Sequence, residues 1–143
     1  MNRIPRRRSK ESPVYEATTR GIVVRVVTNY LPSQSDPIES RYVWAYMIEI
    51  ENHSDETVQL VSRKWLITDG LNRTEEVAGP GVVGEQPRLK PRDAFRYTSG
   101  CPLSTPSGEM RGSYQMVTDG GDMFEAQVPA FSLHLPGAHR SVN

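Results

Sequence analysis

The stretch that decides the fold is Tyr42-Val43-Trp44-Ala45-Tyr46-Met47-Ile48-Glu49-Ile50-Glu51. Every second side chain from Tyr42 to Ile50 is large and apolar, and the alternate positions become acidic towards the end. Successive side chains of a β-strand point to opposite faces, so this spacing predicts a strand with one buried face. We expect Trp44, Tyr46, Ile48 and Ile50 to form part of the core, and the acids on the other face to be solvated.

The same period of two recurs on both sides of this stretch. Ile22, Val24 and Val26 mark an earlier strand, and a loop over 31–40 joins it to the Trp44 strand. Further strands are predicted over 58–67, 73–77, 94–99, 113–118, 123–128 and 131–135. Seven to nine short strands separated by glycine and proline turns, with no helical period, are typical of an all-β sandwich.

Length and composition bound the class of protein. A chain of 143 residues with 36% hydrophobic and 24% charged residues fits one globular domain. No apolar run reaches the roughly 20 residues of a membrane-spanning helix, so no membrane insertion is expected. A single cysteine, Cys101, excludes an internal disulfide and favours a reducing compartment, which points to the cytoplasm.

The zero net charge hides an asymmetry between the start of the chain and the rest. The first ten residues carry five basic groups and no acid, whereas the remainder carries 12 basic and 17 acidic groups, a net of −5. Nucleic-acid binding by the body is therefore not expected. We predict a flexible basic arm over 1–12, one sandwich domain over 13–136, and a flexible tail over 137–143.

Several ordered strings of residues resemble one known family. They are Glu49–Ser54, Leu60–Trp65, Glu76–Pro87, Tyr97–Leu103, Gly108–Tyr114 and Val128–Leu133. On these motifs the chain resembles the ApaG family. The resemblance implies an immunoglobulin or fibronectin type III-like β-sandwich of two antiparallel sheets. It also implies an association with cobalt resistance and magnesium efflux, without an established reaction. Similar domains in a eukaryotic F-box adaptor and a polymerase-delta-interacting protein suggest protein binding.

The segment Gly79-Pro80-Gly81-Val82-Val83-Gly84 matches the pattern G-x-G-x-x-G. In dinucleotide-binding folds a helix starts at the last glycine, but Pro87 and Pro91 leave no room for one here. The loop could still hold a phosphate in a nest of N–H groups, with Arg88, Lys90 or Arg111 as countercharge. The alternative is a structural or protein-recognition loop.

Two acidic groups of residues are candidate metal sites. Glu49, Glu51 and His53, with Asp55, alternate along one strand end and could suit Co²⁺ or Mn²⁺. The second group is Asp119, Asp122 and Glu125. Neither has a recognised ligand motif, and exposed acids at strand ends are usually solvated, so no metal or other cofactor is expected.

Catalysis has little support in the sequence. Cys101 follows a strand and precedes Pro102, where a small buried residue is expected, and no histidine has the spacing of an activating base. Residues 100–108 are predicted to form a stiff loop, with Arg111 beyond it on the surface. The sequence therefore favours a non-enzymatic module that recognises an unknown protein partner. The alternative is a module that binds a phosphate-containing ligand through residues 79–84.

Overall fold

A computed structural model describes residues 14–136 as nine β-strands with two short 3₁₀ turns and no α-helix. The basic arm over 1–12 and the tail over 137–143 lie outside the described residues. Along the chain the strands are β1 Tyr15–Thr19, β2 Ile22–Tyr30, β3 Tyr42–Asn52, β4 Val58–Asp69, β5 Thr74–Pro80, β6 Arg88–Leu89, β7 Ala94–Leu103, β8 Ser107–Thr118 and β9 Met123–His134. The predicted loop over 31–40 contains the two 3₁₀ turns, at Pro32–Gln34 and Pro37–Glu39.

The strands form two antiparallel sheets, which confirms the predicted immunoglobulin or fibronectin type III-like β-sandwich. One sheet has the order β1-β2-β3-β7, and the other has the order β5-β4-β8-β9, with β6 paired to the start of β4. In the first sheet Trp44 of β3 lies opposite Tyr30 of β2 and Cys101 of β7. Within residues 14–136, no helix is long and apolar enough to cross a membrane.

The core lies between the sheets and contains the alternating residues of β3. Trp44, Tyr46, Ile48 and Ile50 are all buried, as the period of two predicted. The indole Nε1 of Trp44 donates to the carbonyl oxygen of His134 at 2.8 Å, so β3 of one sheet is tied to β9 of the other. The outward face of β3 differs from the prediction, because Glu49 and Glu51 are buried as well.

The sandwich is closed along one side. There β9 packs on β1 and β2. The ring of Tyr15 in β1 lies 6.1 Å from that of Phe131 in β9, and the Thr19 hydroxyl accepts a hydrogen bond from the backbone N–H of Gln127. On the opposite side the edges belong to β5 and β7, which do not pair with each other.

Several predicted strand ends were wrong, and prolines explain two of the errors. The strands β7 and β9 continue through Pro102 and Pro129, where the sequence suggested a loop and a break. Pro80 in β5 is the third proline that lies within a strand of residues 14–136. All three of these strands are at the edges of their sheets. Proline lacks a backbone N–H, so it can sit at an edge without removing a hydrogen bond of the ladder.

The predicted loop over 100–108 was also wrong. Only Ser104, Thr105 and Pro106 lie between β7 and β8, because the pairing of β7 with β3 extends to Leu103 and that of β8 with β9 starts at Ser107. Arg111 therefore lies within β8, on an exposed position.

Candidate functional site

The glycine segment forms the end of an edge strand and a tight turn. Gly79 and Pro80 belong to β5, and residues 82–85 close a turn in which Val82 and Glu85 exchange backbone hydrogen bonds of 2.8 and 2.9 Å. Positive φ at Val83 and Gly84 is typical of a two-residue hairpin turn. The predicted absence of a helix after Gly84 is confirmed.

The N–H groups that a phosphate nest would need are largely used within this segment. Gly81 donates to the carbonyl oxygen of Val61 at 2.9 Å, and the N–H groups of Val82 and Glu85 bond each other's carbonyl oxygens. Gly81 has φ +60°, and a Cβ there would lie 2.3 Å from the Glu85 oxygen, so this glycine serves the backbone itself. Val82 is fully buried in the core.

A partly buried arginine on the neighbouring strand, which sequence reasoning missed, holds this segment in place. Arg63 of β4 donates from Nη1 to the carbonyl oxygens of Pro80 and Gly81, both at 3.0 Å. Gly79 lies opposite Arg63 in the register, and a Cβ at Gly79 would approach Nη1 to 3.3 Å. The glycine therefore leaves room for a guanidinium group. The segment presents carbonyl oxygens to a cation, the opposite of what an anion site requires.

The other basic candidates do not converge on the glycine segment. Arg88 forms an ion pair of 2.9 Å with Asp119, across the end of the second sheet. Arg111 pairs with Glu109 of the same strand at 3.3 Å, and in the register it lies opposite Leu66 of β4. Lys90 precedes a turn in which its N–H donates to Asp93.

The carboxylates proposed as metal ligands surround an arginine. Arg25 donates to Glu49 at 3.1 Å, to Glu51 at 3.0 Å and to Glu16 at 3.0 Å, while the His53 ring lies 2.7 Å from the carboxylate of Glu51. Burial by itself lowers the pKa of Arg25, but the hydrogen bonds to these three carboxylates raise it overall. Residues 14–136 contain no group of three or more histidine, cysteine or acidic side chains arranged to hold a metal ion.

A cleft of about 330 Å³ opens on the side where β5 and β7 face each other without pairing. Its floor is apolar and aromatic, formed by Trp65 and Met110, with Val77 and Ile67 towards the opening. The wall on the first sheet consists of Tyr46 and the stretch from Ser99 to Pro102. We call this the edge cleft. Its volume lies at the lower end of the range for small-ligand pockets, about 300–1,000 Å³.

Two polar groups in the wall of the edge cleft, the Tyr46 hydroxyl and the Cys101 thiol, stay neutral at ordinary pH. Burial raises the pKa of the Tyr46 hydroxyl, although the hydrogen bond with Ser99 opposes this shift. Burial, and then the negative charge of Glu75, raise the pKa of the Cys101 thiol to about 11. The prediction that Cys101 is a small buried residue is confirmed, since it is only 4% exposed.

Two charged residues mark the ends of the edge cleft. Arg63 lies at one end, and Glu75, which is opposite Ile67 in the register, lies at the other. Both were missed as site residues. One signal could have found Arg63. It stands at every second position with the apolar Trp65 and Ile67, so a charged side chain was to be expected on the inward face of β4. The glycine pattern drew attention to Gly79, whereas the group that uses this glycine is Arg63.

Comparison with known proteins agrees with this architecture. The ApaG domain model matches residues 32–118. The chain is 62% identical to the protein ApaG of Caulobacter vibrioides over 138 residues, which covers 96% of this chain and 99% of that one. It is 60% identical to ApaG of Mesorhizobium japonicum over 130 residues, which covers 91% of this chain and all of that one.

A solved structure extends the agreement to three dimensions. The crystal structure of the putative ApaA protein from Bordetella pertussis superposes with a TM-score of 0.81 at 44% identity, covering 90% of this chain and 99% of that chain. The fold, the family model and the high identity over nearly the whole length agree, and the chain therefore belongs to the ApaG family.

Proposed function

We propose that this ApaG chain is a non-enzymatic binding module that recognises a segment of another protein in the edge cleft. The observation that carries the proposal is the open side of the sandwich, where two edge strands border a partly apolar cleft. Edge strands offer unpaired backbone N–H and C=O groups, and extended peptides bind such edges by adding a strand. A pocket beside the edge then selects side chains.

The lining of the edge cleft supports recognition. Trp65 is only 3% exposed and Met110 only 1%, so the floor is packed within the core, whereas Val77 and Ser99 are partly accessible at the opening. Aromatic and methionine side chains surrounded by a polar rim are typical of the central part of a protein interface. A partner could place one apolar side chain at the opening, against the partly accessible Val77 and above Trp65.

A binding role also agrees with the state of the only cysteine. Nucleophilic catalysis by a cysteine requires its thiolate form, and the raised pKa of Cys101 keeps this thiol protonated near neutral pH. The hydroxyl groups of Tyr97 and Tyr114 hydrogen-bond each other in the core, and burial raises the pKa of both. We therefore propose that these groups support the structure rather than a reaction.

The association of the family with cobalt resistance and magnesium efflux enters this proposal only through resemblance. Arg25 already donates hydrogen bonds to Glu49 and Glu51, so an ion at this place would compete with a guanidinium group. We propose that any influence on divalent-cation balance passes through a protein partner, and that the module acts in the cytoplasm.

The test is photo-crosslinking with a matched pair of positions on β7. A photoreactive residue at Ser99, whose side chain faces the edge cleft, should capture a partner from extract of the native cell. The same residue at Thr98, exposed on the opposite face, should not. An excess of unlabelled protein should compete for the crosslink, whereas the Ser99→Trp variant, in which the cleft is filled, should not. Equal capture at both positions would contradict the proposal.

A further inference from the structure

Two opposite charges, Arg63 and Glu75, lie at the two ends of the edge cleft. Arg63 and Ile67 share one face of β4, and Glu75 lies opposite Ile67. A strand rises about 3.3 Å per residue, so the two charged positions are separated by roughly 13 Å along the strand direction. Trp65 and its neighbour Val77 lie midway between them. The edge cleft thus has a positive end, an apolar centre and a negative end.

The positive end has hydrogen-bonding capacity left. Within residues 14–136, both hydrogen bonds of the Arg63 side chain come from Nη1. A guanidinium group has five donors in a planar fork, so Nε and Nη2 can still bind a carboxylate. The two bonds to Pro80 and Gly81 fix the group in place, which lowers the entropy cost of binding an anion there.

The negative end is also available. Glu75 is exposed, and within residues 14–136 it takes part in no ion pair. Its side chain lines the edge cleft beside Ile67, its partner in the register, rather than the outer face of β5. Its neighbour Glu76 lies opposite Leu66 and points to the other face of the sheet.

We infer that the edge cleft selects an extended partner segment with an acidic and a basic residue four positions apart and an apolar residue midway between them. Positions i, i+2 and i+4 of an extended chain share one face and span the same roughly 13 Å as the charges of the cleft. The acid would bind Arg63, the apolar side chain would contact Trp65 and Val77, and the base would pair with Glu75. This inference rests on the proposed function and names the partner's sequence class.

The probes are short capped peptides with the core Glu-Thr-Val-Thr-Lys and the reversed order Lys-Thr-Val-Thr-Glu. Both orders are needed, because an added strand can run parallel or antiparallel to the edge. Peptides with two acids or two bases in the same places serve as controls. Affinity is measured by fluorescence anisotropy at low and high salt. One bipolar order should bind about threefold to tenfold more tightly than either control, and salt should reduce the difference.

A pair of neighbouring substitutions on β5 gives the decisive comparison. Glu75→Lys should invert the preference, so that the doubly acidic peptide binds better than the bipolar one. Glu76→Lys changes the net charge equally but on the opposite face, and should leave the preference unchanged. Both residues are exposed, so both variants should fold. A structural defect would weaken the binding of all peptides alike. Only direct pairing of residue 75 with the peptide would change which peptide binds more tightly.

Three results would overturn the inference. These are equal binding of bipolar and doubly acidic peptides, equal effects of Glu75→Lys and Glu76→Lys, and no binding of any peptide up to millimolar concentration. If the Ser99 crosslink still captures a partner in competition with unlabelled protein, the peptide rule alone fails and protein recognition stands. If Ser99 captures nothing above the Thr98 control, the proposed function itself fails.

Discussion

Arg63 donates to the carbonyl oxygen of Gly81 at 3.0 Å, and this bond connects the glycine segment to the edge cleft. The same nitrogen donates to Pro80, so a single side chain determines both the position of the turn and the charge at one end of the cleft. A change in the glycine segment should therefore move Arg63 and, under the proposed function, alter the affinity for a partner that does not touch this segment.

The first prediction concerns this anchor. Arg63→Met should lower the free energy of unfolding by about 1–3 kcal/mol, because it removes two hydrogen bonds from a charged donor. Lys64→Met, one residue further along β4 and on the opposite face, should change it by no more than about 0.5 kcal/mol. Denaturation in urea measures both. A loss of the same size in the two variants would show that the contacts of Arg63 with the turn do not matter.

The second prediction concerns the core. Trp44→Ala should cost about 3–5 kcal/mol, the range for deleting a large buried aromatic side chain. Trp44→Phe keeps most of the volume and loses the 2.8 Å bond to the His134 carbonyl, so we expect a loss of about 1–2 kcal/mol. In the unmodified protein, acrylamide should quench tryptophan fluorescence only weakly, since Trp44 and Trp65 are both buried. Strong quenching would contradict the arrangement of the core.

The third prediction is a loss of stability in alkali. The pKa of Cys101 is about 11 in the folded protein, above its ordinary value of 9.0, so the unfolded chain releases this proton first. The thiol contribution is therefore fully present below pH 9 and is lost as the pH rises towards 11. Since one pKa unit corresponds to about 1.4 kcal/mol, the loss of stability should be on the order of 3 kcal/mol at most.

Urea midpoints between pH 8 and pH 11 check this expectation. Burial also raises the pKa of Tyr97 and Tyr114, so the fall in stability should continue at higher pH. Cys101→Ala has no thiol to titrate and should show a shallower decline between pH 9 and 11. An identical decline in this variant would assign the effect to other groups.

The fourth prediction distinguishes the proposed recognition of a protein from binding of a phosphate-containing ligand at the glycine segment. ATP, GTP and pyrophosphate should cause no saturable micromolar shifts in the amide NMR signals of residues 79–92, because Gly81, Val82 and Glu85 already donate to carbonyl oxygens. Addition of Co²⁺ or Mg²⁺ should not change this result. Saturable shifts confined to residues 79–92 would favour a phosphate ligand, and metal-dependent shifts near Glu49 would favour an ion site.

The sequence predicted the sheets because alternation is a local property of the chain. The positions of Trp44, Ile48 and Ile50 follow from the period of two and from the hydrophobic effect. The same period assigns Glu49 and Glu51 to the other face but carries no information on what covers that face. Their burial depends on Arg25, which comes from another strand, 24 residues earlier than Glu49.

The edge cleft could not be predicted in the same way, because it depends on which strands lie at the edges. Arg63 and Glu75 are 12 residues apart in sequence, and they share a site only because β4 and β5 pair and because β7 of the other sheet faces β5. The glycine pattern was a visible signal with a misleading interpretation. Gly79, the first glycine of the pattern, leaves space for the Arg63 side chain. The G-x-G-x-x-G pattern contains no information about that arginine.

On the open side of the sandwich, Pro80 in β5 and Pro102 in β7 each remove one donor from the row of backbone N–H groups along a strand edge. Regular edges invite copies of a chain to stack side by side into fibres, and an interrupted row resists such stacking. The short partner segment proposed above would need only the uninterrupted part of one edge. These two prolines therefore disfavour stacking of copies of the chain along the open side of the sandwich.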